Sequence, residues 1–276
     1  MRIARRSVVL ATVFAIVVLV SAGAGRADGI GWKAAHDTDP HLALTPAQLM
    51  MMAVKRSAED RSGGGSVTGG GTAAPPAECG PTCDGGGDYP GSASLPANQK
   101  AQTTSYYCGP ASVHETLDVL GVWLSQADAA GELHTTTDGT AWSGGGTSPS
   151  GYPVPDVLNA HQTRNWYIPQ YVASPTPGAI GTYEADLEMD IVALSVPLLG
   201  DAWEVPGGPH LVGHPPNREI FHWFEIRGYQ NSGASTMYED SVHNAKSVSW
   251  NAGVPAYSTL SSNAIVTIIS GRGYVW

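Results

Sequence analysis

Apolar and polar positions divide the chain into stretches of different character. Residues 8–20 are almost wholly apolar, with Thr12 the one polar member. A helix of these thirteen residues would rise roughly 20 Å, short of the roughly 30 Å hydrocarbon core of a bilayer. Arg2, Arg5 and Arg6 precede the run, and Ala22 and Ala24 follow it with the A-x-A spacing of a cleavage site. Residues 1–27 therefore read as a secretory signal peptide, with an uncleaved anchor as the alternative. Residues 28–61 form an N-terminal arm or pro-segment. Within it Thr45 and Pro46 are a good N-cap and first helical position for a helix over 47–61, though its apolar residues make no clean stripe. Residues 62–98 read as a Gly-rich flexible linker, because runs such as 63–65, 69–71 and 85–87 bury too little apolar surface to offset their ordering entropy.

The last stretch, 99–276, has the patterning of a folded domain. A helix is expected over 110–124, opened by Pro110, with Ala111, Val113, Leu117 and Leu120 near 3.6-residue spacing and Gly121 near its end. Turn residues crowd 125–182. Shorter helices are expected over 155–161 and 183–192, a strand over 194–199 and a loop over 207–216. Strands then follow over 222–229, 236–240 and 264–269. Helices first and antiparallel strands later is an α+β pattern.

Composition adds two constraints. From Ala101 onward 5 Lys and Arg stand against 16 Asp and Glu, so the acidity of the chain is that of its C-terminal domain. No basic patch is available to offset phosphate, which argues against nucleic acid and anionic membrane as partners. After signal cleavage no membrane association is expected. The second constraint is the cysteines. Cys79 and Cys83, in the linker, are spaced to close a small disulfide in an oxidising compartment, and free thiols or half of a metal site are the alternatives. Cys108 stands apart from them.

Cys108 lies in QTTSYYCGPAS, just ahead of Gly109, Pro110 and the first helix of the domain. A thiol attacks a carbonyl as thiolate, and the unpaired N–H groups of a helix N-terminus favour that form. Gly109 is expected to leave room for a substrate backbone beside the sulfur, and Tyr106 and Tyr107 to wall the site. The bland alternative is a buried small hydrophobe. Gln102 would offer an amide N–H to an oxyanion, beside the backbone N–H of Cys108. Nine histidines compete as base. His222 opens the strand HWFEIRGY; His243, in a later loop, is the runner-up. His210 and His214 form an H-x3-H pair with His222 beyond, but Gly213, Pro215 and Pro216 oppose a zinc-binding helix and no Glu lies between the two. A hairpin turning at Asn231, Ser232 and Gly233 would return the chain so that Asp240 reaches His222 and orients it. Glu239 is the neighbouring carboxylate, facing the other side.

These motifs together, Q-x5-C-G-P, the histidine strand and the later Asp240, resemble the papain-like cysteine peptidases of the double-glycine, bacteriocin-processing type over roughly 99–245. The resemblance implies an α+β papain-like cysteine peptidase domain with the nucleophile helix packed on an antiparallel sheet. It also implies Cys108 as nucleophile, His222 as base, Asp240 as orienting residue and Gln102 as oxyanion donor, with a peptide or protein substrate and no metal or organic cofactor. The expected protein is a secreted thiol hydrolase, with retention at the cell surface as a variant. A catalytically inactive peptide-binding or cell-wall-associated module on the same fold is the alternative, and amidase or transglutaminase chemistry is a third reading. The sequence leaves the oligomeric state open.

Overall fold

A computed structural model of the chain describes residues 33, 39–63, 89–96, 98–144 and 148–276. The apolar run 8–20, with the expected signal peptide, and both linker cysteines lie outside these residues. In order, the elements are α1 (Pro46–Gly63), β1 (Ala93–Ser94), α2 (Cys108–Val119), α3 (Gln126–Glu132) and α4 (Pro153–His161). They continue through β2 (Pro169–Tyr171), α5 (Pro177–Glu188) with a π-helical turn (Met189–Leu194), β3 (Leu198–Glu204), β4 (Ile220–Gln230) and β5 (Ser235–Glu239). Then come a 3-10 turn (Asn251–Gly253), β6 (Tyr257–Ser261), α6 (Ser262–Ile268) and β7 (Gly273–Val275). The strands form one antiparallel sheet in the order β2-β7-β3-β4-β5-β6, with β1 paired to the far end of β4. The mixture of helices with an antiparallel sheet is the α+β class that the patterning predicts.

The sheet separates two cores. Val113 and Leu117 of α2, Leu158 of α4, Leu199 of β3 and Trp223 of β4 pack on one face. Leu187 of α5, Ile265 and Ile268 of α6, and Phe224 and Ile226 of β4 pack on the other. Alternation along β4 produces this split, since neighbouring side chains of a strand point to opposite faces. The hairpin from β4 to β5 turns at Asn231, Ser232 and Gly233, all with positive φ near the left-handed region. Its register pairs Glu225 with Glu239, and it leaves Asp240 beyond the end of β5, on the side of His222.

Three elements differ from the patterning. The apolar run expected as a strand over 264–269 is helix α6. Ser261 accepts the N–H of Ala264 at 3.2 Å and caps it, and Ile265, Ile268 and Ile269 then fall on one buried face. Short apolar runs fit either period, and the cap decides. The strand expected over 194–199 begins later, at Leu198, because Ser195 is left-handed and the chain leaves the π turn there. All seven residues of β3 are buried, including Asp201 and Glu204, and the strand runs on to Glu204 beyond the expected end at 199. The helix expected to end at 124 ends at Val119, ahead of Gly121, whose φ is +77°.

The described part of the N-terminal arm lies against the domain. Lys55 makes a buried ion pair with Asp190 at 3.0 Å, and Arg56 engages Asp186. The Lys33 ammonium donates to the carbonyls of Thr267, Ile268 and Ser270 at the end of α6. Within the stretch expected as linker, β1 pairs with Gly228 and Tyr229 of β4.

Between α2 and the sheet lie three buried carboxyl groups, Glu115, Glu225 and Glu239. Glu115 accepts the Lys100 N–H at 2.7 Å and Glu225 accepts the Thr116 hydroxyl at 3.0 Å. Burial pushes Glu239 up to about 7, against the pull of the hydrogen bond from Glu225 and of Arg227 and Lys100. Burial and mutual repulsion push Glu115 and Glu225 well above the carboxylate range. A carboxyl whose folded pKa is raised favours the folded state fully only below its unfolded value. That contribution is lost as pH climbs from about 4.3 through the folded pKa. Glu239→Gln is therefore expected to be more stable than wild type at pH 8, by on the order of 2 kcal/mol. The two should converge below pH ~4. Thermal melts from pH 4 to 8 check this; parallel curves would refute it.

Candidate active site

The site forms where the start of α2 meets the leading end of β4. Cys108 is the first residue of α2, and no side chain caps this helix, whereas Ser125, Thr176 and Ser261 cap α3, α5 and α6. Pro110 has no N–H to leave unpaired, and the first intrahelical bond is from Ala111 to the Tyr107 carbonyl. The earliest N–H groups of α2 are thus left to the sulfur and its surroundings. The backbone N–H of Gly109, and that of Trp223 on β4, help to lower the thiol.

His222 and Cys108 line one cleft and lie close enough for each to bias the charge of the other. Nε2 of His222 sits 3.1 Å from Asp240 Oδ1, so Nδ1 is the nitrogen left for the sulfur. Both side chains are buried, His222 at 3% exposure and Cys108 at 8%, so their charges are poorly screened. Burial alone pushes the Cys108 thiol up. The hydrogen bond and charge of His222 and the two backbone N–H groups outweigh it and hold the thiol below its ordinary value. Burial likewise pulls His222 down, but the charge and hydrogen bond of Asp240, with those of Cys108, hold it well above the ordinary histidine value. For Asp240, burial is overcome by His222 and His214, which keep it far below the usual carboxylate range. Each of these directions favours the charged form of its group.

Gln102 is fixed by three contacts. Its backbone N–H donates to the Ser241 carbonyl at 2.8 Å, Ser241 Oγ donates to Oε1 at 3.1 Å, and Nε2 donates to the Thr104 carbonyl at 2.8 Å. Nε2 has a second proton, and Gln102 lines the same cleft as Cys108 and His222. That cleft has a volume of about 230 Å³, and Ser105, Phe221, Val248 and Trp250 complete its walls. All of its lining residues come from 102–250 and none from the arm. Phe221 is 44% exposed, an apolar ring at the rim.

Several expectations about this neighbourhood change. Tyr106 and Tyr107 pack edge-to-face on each other and do not line the cleft; Ser105 does. Gly109 does not open space for a substrate, because a Cβ there would run into the Thr140 side chain. Its missing side chain serves the packing of α2 against the 140 region. His243 bonds to the Val254 carbonyl through Nδ1 and to Asn244 through Nε2, away from Cys108. His114 points at the Leu124 carbonyl. Glu239 belongs to the carboxyl cluster under α2.

The sequence weighs His214 only as part of a zinc pair and gives no sign of Glu204. His214 bonds Asp240 Oδ2 through Nε2 at 2.9 Å and Glu204 Oε2 through Nδ1 at 2.9 Å. His210, its H-x3-H partner, instead meets the carbonyls of Gly208 and Arg218. Among the described residues, the ligand atoms of His214, His222 and Asp240 lie within 4.8 Å of one another, close enough for a metal ion. They are already joined through Asp240 by hydrogen bonds, which account for the cluster as a proton network. No spacing rule in the sequence pairs Glu204 with His214; only the fold does.

No family model matches this sequence. A search of curated proteins found no matching relative. Among 19 solved chains that match is one described as a "putative C39-like peptidase" from Bacillus anthracis. The alignment covers 67% of this chain and 96% of that one, at 12% identity and a TM-score of 0.41. No helix among the described residues is long and apolar enough to cross a membrane.

Proposed function

We propose that the chain is a thiol hydrolase that cleaves peptide (amide) bonds, built as a papain-like domain. The observation that carries this reading is the arrangement at Cys108. A buried sulfur at an uncapped helix start shares a cleft with a histidine, one nitrogen of which is 3.1 Å from a carboxylate. In the reaction the Cys108 thiolate adds to the scissile carbonyl carbon. The oxyanion is met by the second Nε2 proton of Gln102 and the N–H of Cys108. As the tetrahedral intermediate collapses, the C–N bond breaks and His222 gives its proton to the departing amine, leaving a thioester on Cys108. His222, now neutral, takes a proton from water, which attacks the thioester; the acid product leaves and the thiolate–imidazolium pair returns. Asp240 keeps its charge throughout and holds the ring.

The reading includes export, with residues 1–27 as the removed signal. N-terminal sequencing of the protein recovered from the medium checks this, and an intact Met1 there would refute it. The catalytic reading is tested by incubating the purified chain with a peptide mixture and sequencing the product termini. New amine and carboxyl termini at amide bonds are expected, with a trapped thioester on Cys108 after rapid acid quench. No cleavage of any peptide, with Cys108 still reactive towards alkylating agents, would favour the peptide-binding module instead.

A further inference from the structure

We propose that His214, held by Glu204, is a positioning residue of this site: it fixes the free oxygen of Asp240 and sets a positive charge behind the carboxylate. The inference rests on the proposed pairing of Cys108 with His222.

The loop between β3 and β4 exists in this conformation around one ring. The side chain of His214 is fully buried, and a carboxylate faces each of its nitrogens at 2.9 Å. A neutral imidazole has one N–H and one lone pair, so one carboxylate would face a lone pair in a dry interior. The imidazolium satisfies both. Burial pulls the ring down, but the hydrogen bonds and charges of Asp240 and Glu204 raise it above the ordinary histidine value. Asp240 is then fully used. Oδ1 takes His222 and the Val242 N–H at 2.8 Å, and Oδ2 takes His214. Signs alternate along the row Glu204, His214, Asp240, His222 and Cys108.

The seat is rigid. Leu211 N–H donates to Glu204 Oε1 at 2.7 Å and Val212 N–H to the Tyr238 hydroxyl at 2.8 Å. Gly213 has a φ of +86°, and a Cβ there would strike the Gly253 carbonyl. The Trp250 ring closes on His214 edge-on at 4.6 Å. Other charges face the row from the surrounding elements. Lys33 lies towards Glu204, Glu115 of α2 towards Asp240 and His222, and Asp201 of β3, itself facing Arg272 and Asp39, towards His222 and Cys108. Substitution at 214 or 204 leaves all of these in place.

The charge of His214 helps to hold the thiolate, so its loss should raise the pH at which Cys108 reacts. The test is the rate of Cys108 alkylation by iodoacetamide against pH, in the full chain, with the adduct located by peptide mapping to separate it from any at Cys79 or Cys83. The acid limb is expected to move up by about one pH unit in His214→Gln. It should move in the same direction by less in Glu204→Gln, which frees His214 to become neutral while still donating to Asp240. A merely structural role would lower the melting temperature and the rate at all pH values with the limb unmoved, and that result overturns the proposal. Should His214→Gln fail to fold, the nearly isosteric Glu204→Gln decides alone: a moved limb supports the proposal and an unmoved one refutes it. The assay needs no substrate. A moved limb in a chain that cleaves nothing sinks the hydrolase reading and keeps this one; cleavage with an unmoved limb does the reverse.

Discussion

Cys108→Ala is expected to abolish hydrolysis of every peptide that the wild-type chain cleaves, a loss of roughly 10⁴-fold or more in kcat/KM. The other members of the site cannot substitute for it. In the proposed mechanism Gln102 and the α2 N-terminus stabilise an oxyanion only after a nucleophile has added, and His222, whose pKa is raised by Asp240, is no base for water until the thioester has formed. Alanine fits the space, since Cys108 contributes one small side chain to the core beside Val113 and Leu117, and the melting temperature should move little. Retained hydrolysis in the alanine variant would remove Cys108 from the chemistry.

Asp240→Asn is expected to lower kcat by about 10² to 10⁴-fold with a smaller change in KM. Three donors converge on this carboxylate: His222, His214 and the Val242 N–H. An asparagine offers one acceptor and places an NH2 group against a donor, so one imidazole must turn or give up its proton. The pH dependence is distinctive. Asp240 has a folded pKa far below the carboxylate range, so the stability it supplies is present above about pH 3.9 and is lost as pH falls through the folded value. The asparagine variant should therefore melt below wild type throughout the neutral range, with the gap closing only in strong acid. A kcat within threefold of wild type would show that His222 needs no carboxylate.

The line between what the chain reveals and what it hides runs through local and non-local contacts. Cys108, Gly109 and Pro110 announce a helix start, because first-turn chemistry is written in adjacent residues. The strand with His222 and the turn at Asn231, Ser232 and Gly233 announce a hairpin, and a hairpin places Asp240 near its own first strand. Helix α6 was hidden because its apolar run fits two periods and a single serine hydroxyl decides. Strand β3 is expected over 194–199 and runs over Leu198–Glu204, because buried carboxylates such as Asp201 and Glu204 carry no apolar signal to extend a strand. His214 was noticed and misjudged. Gly213 and the prolines around it rightly excluded a zinc-binding helix. The use of the ring against Glu204 and Asp240 depends on three segments whose approach no spacing encodes. Gly109 carried a similar lesson, since the neighbour that requires it, Thr140, lies far along the chain.

The most direct test of the thiolate–imidazolium pair is the alkylation rate of Cys108 against pH, in wild type and in His222→Asn. The wild-type thiol should react near its plateau rate by about pH 6, with the curve moved up towards about pH 8.5 in the asparagine variant. A wild-type curve that rises only near pH 8.5 and overlays that of His222→Asn would contradict the account.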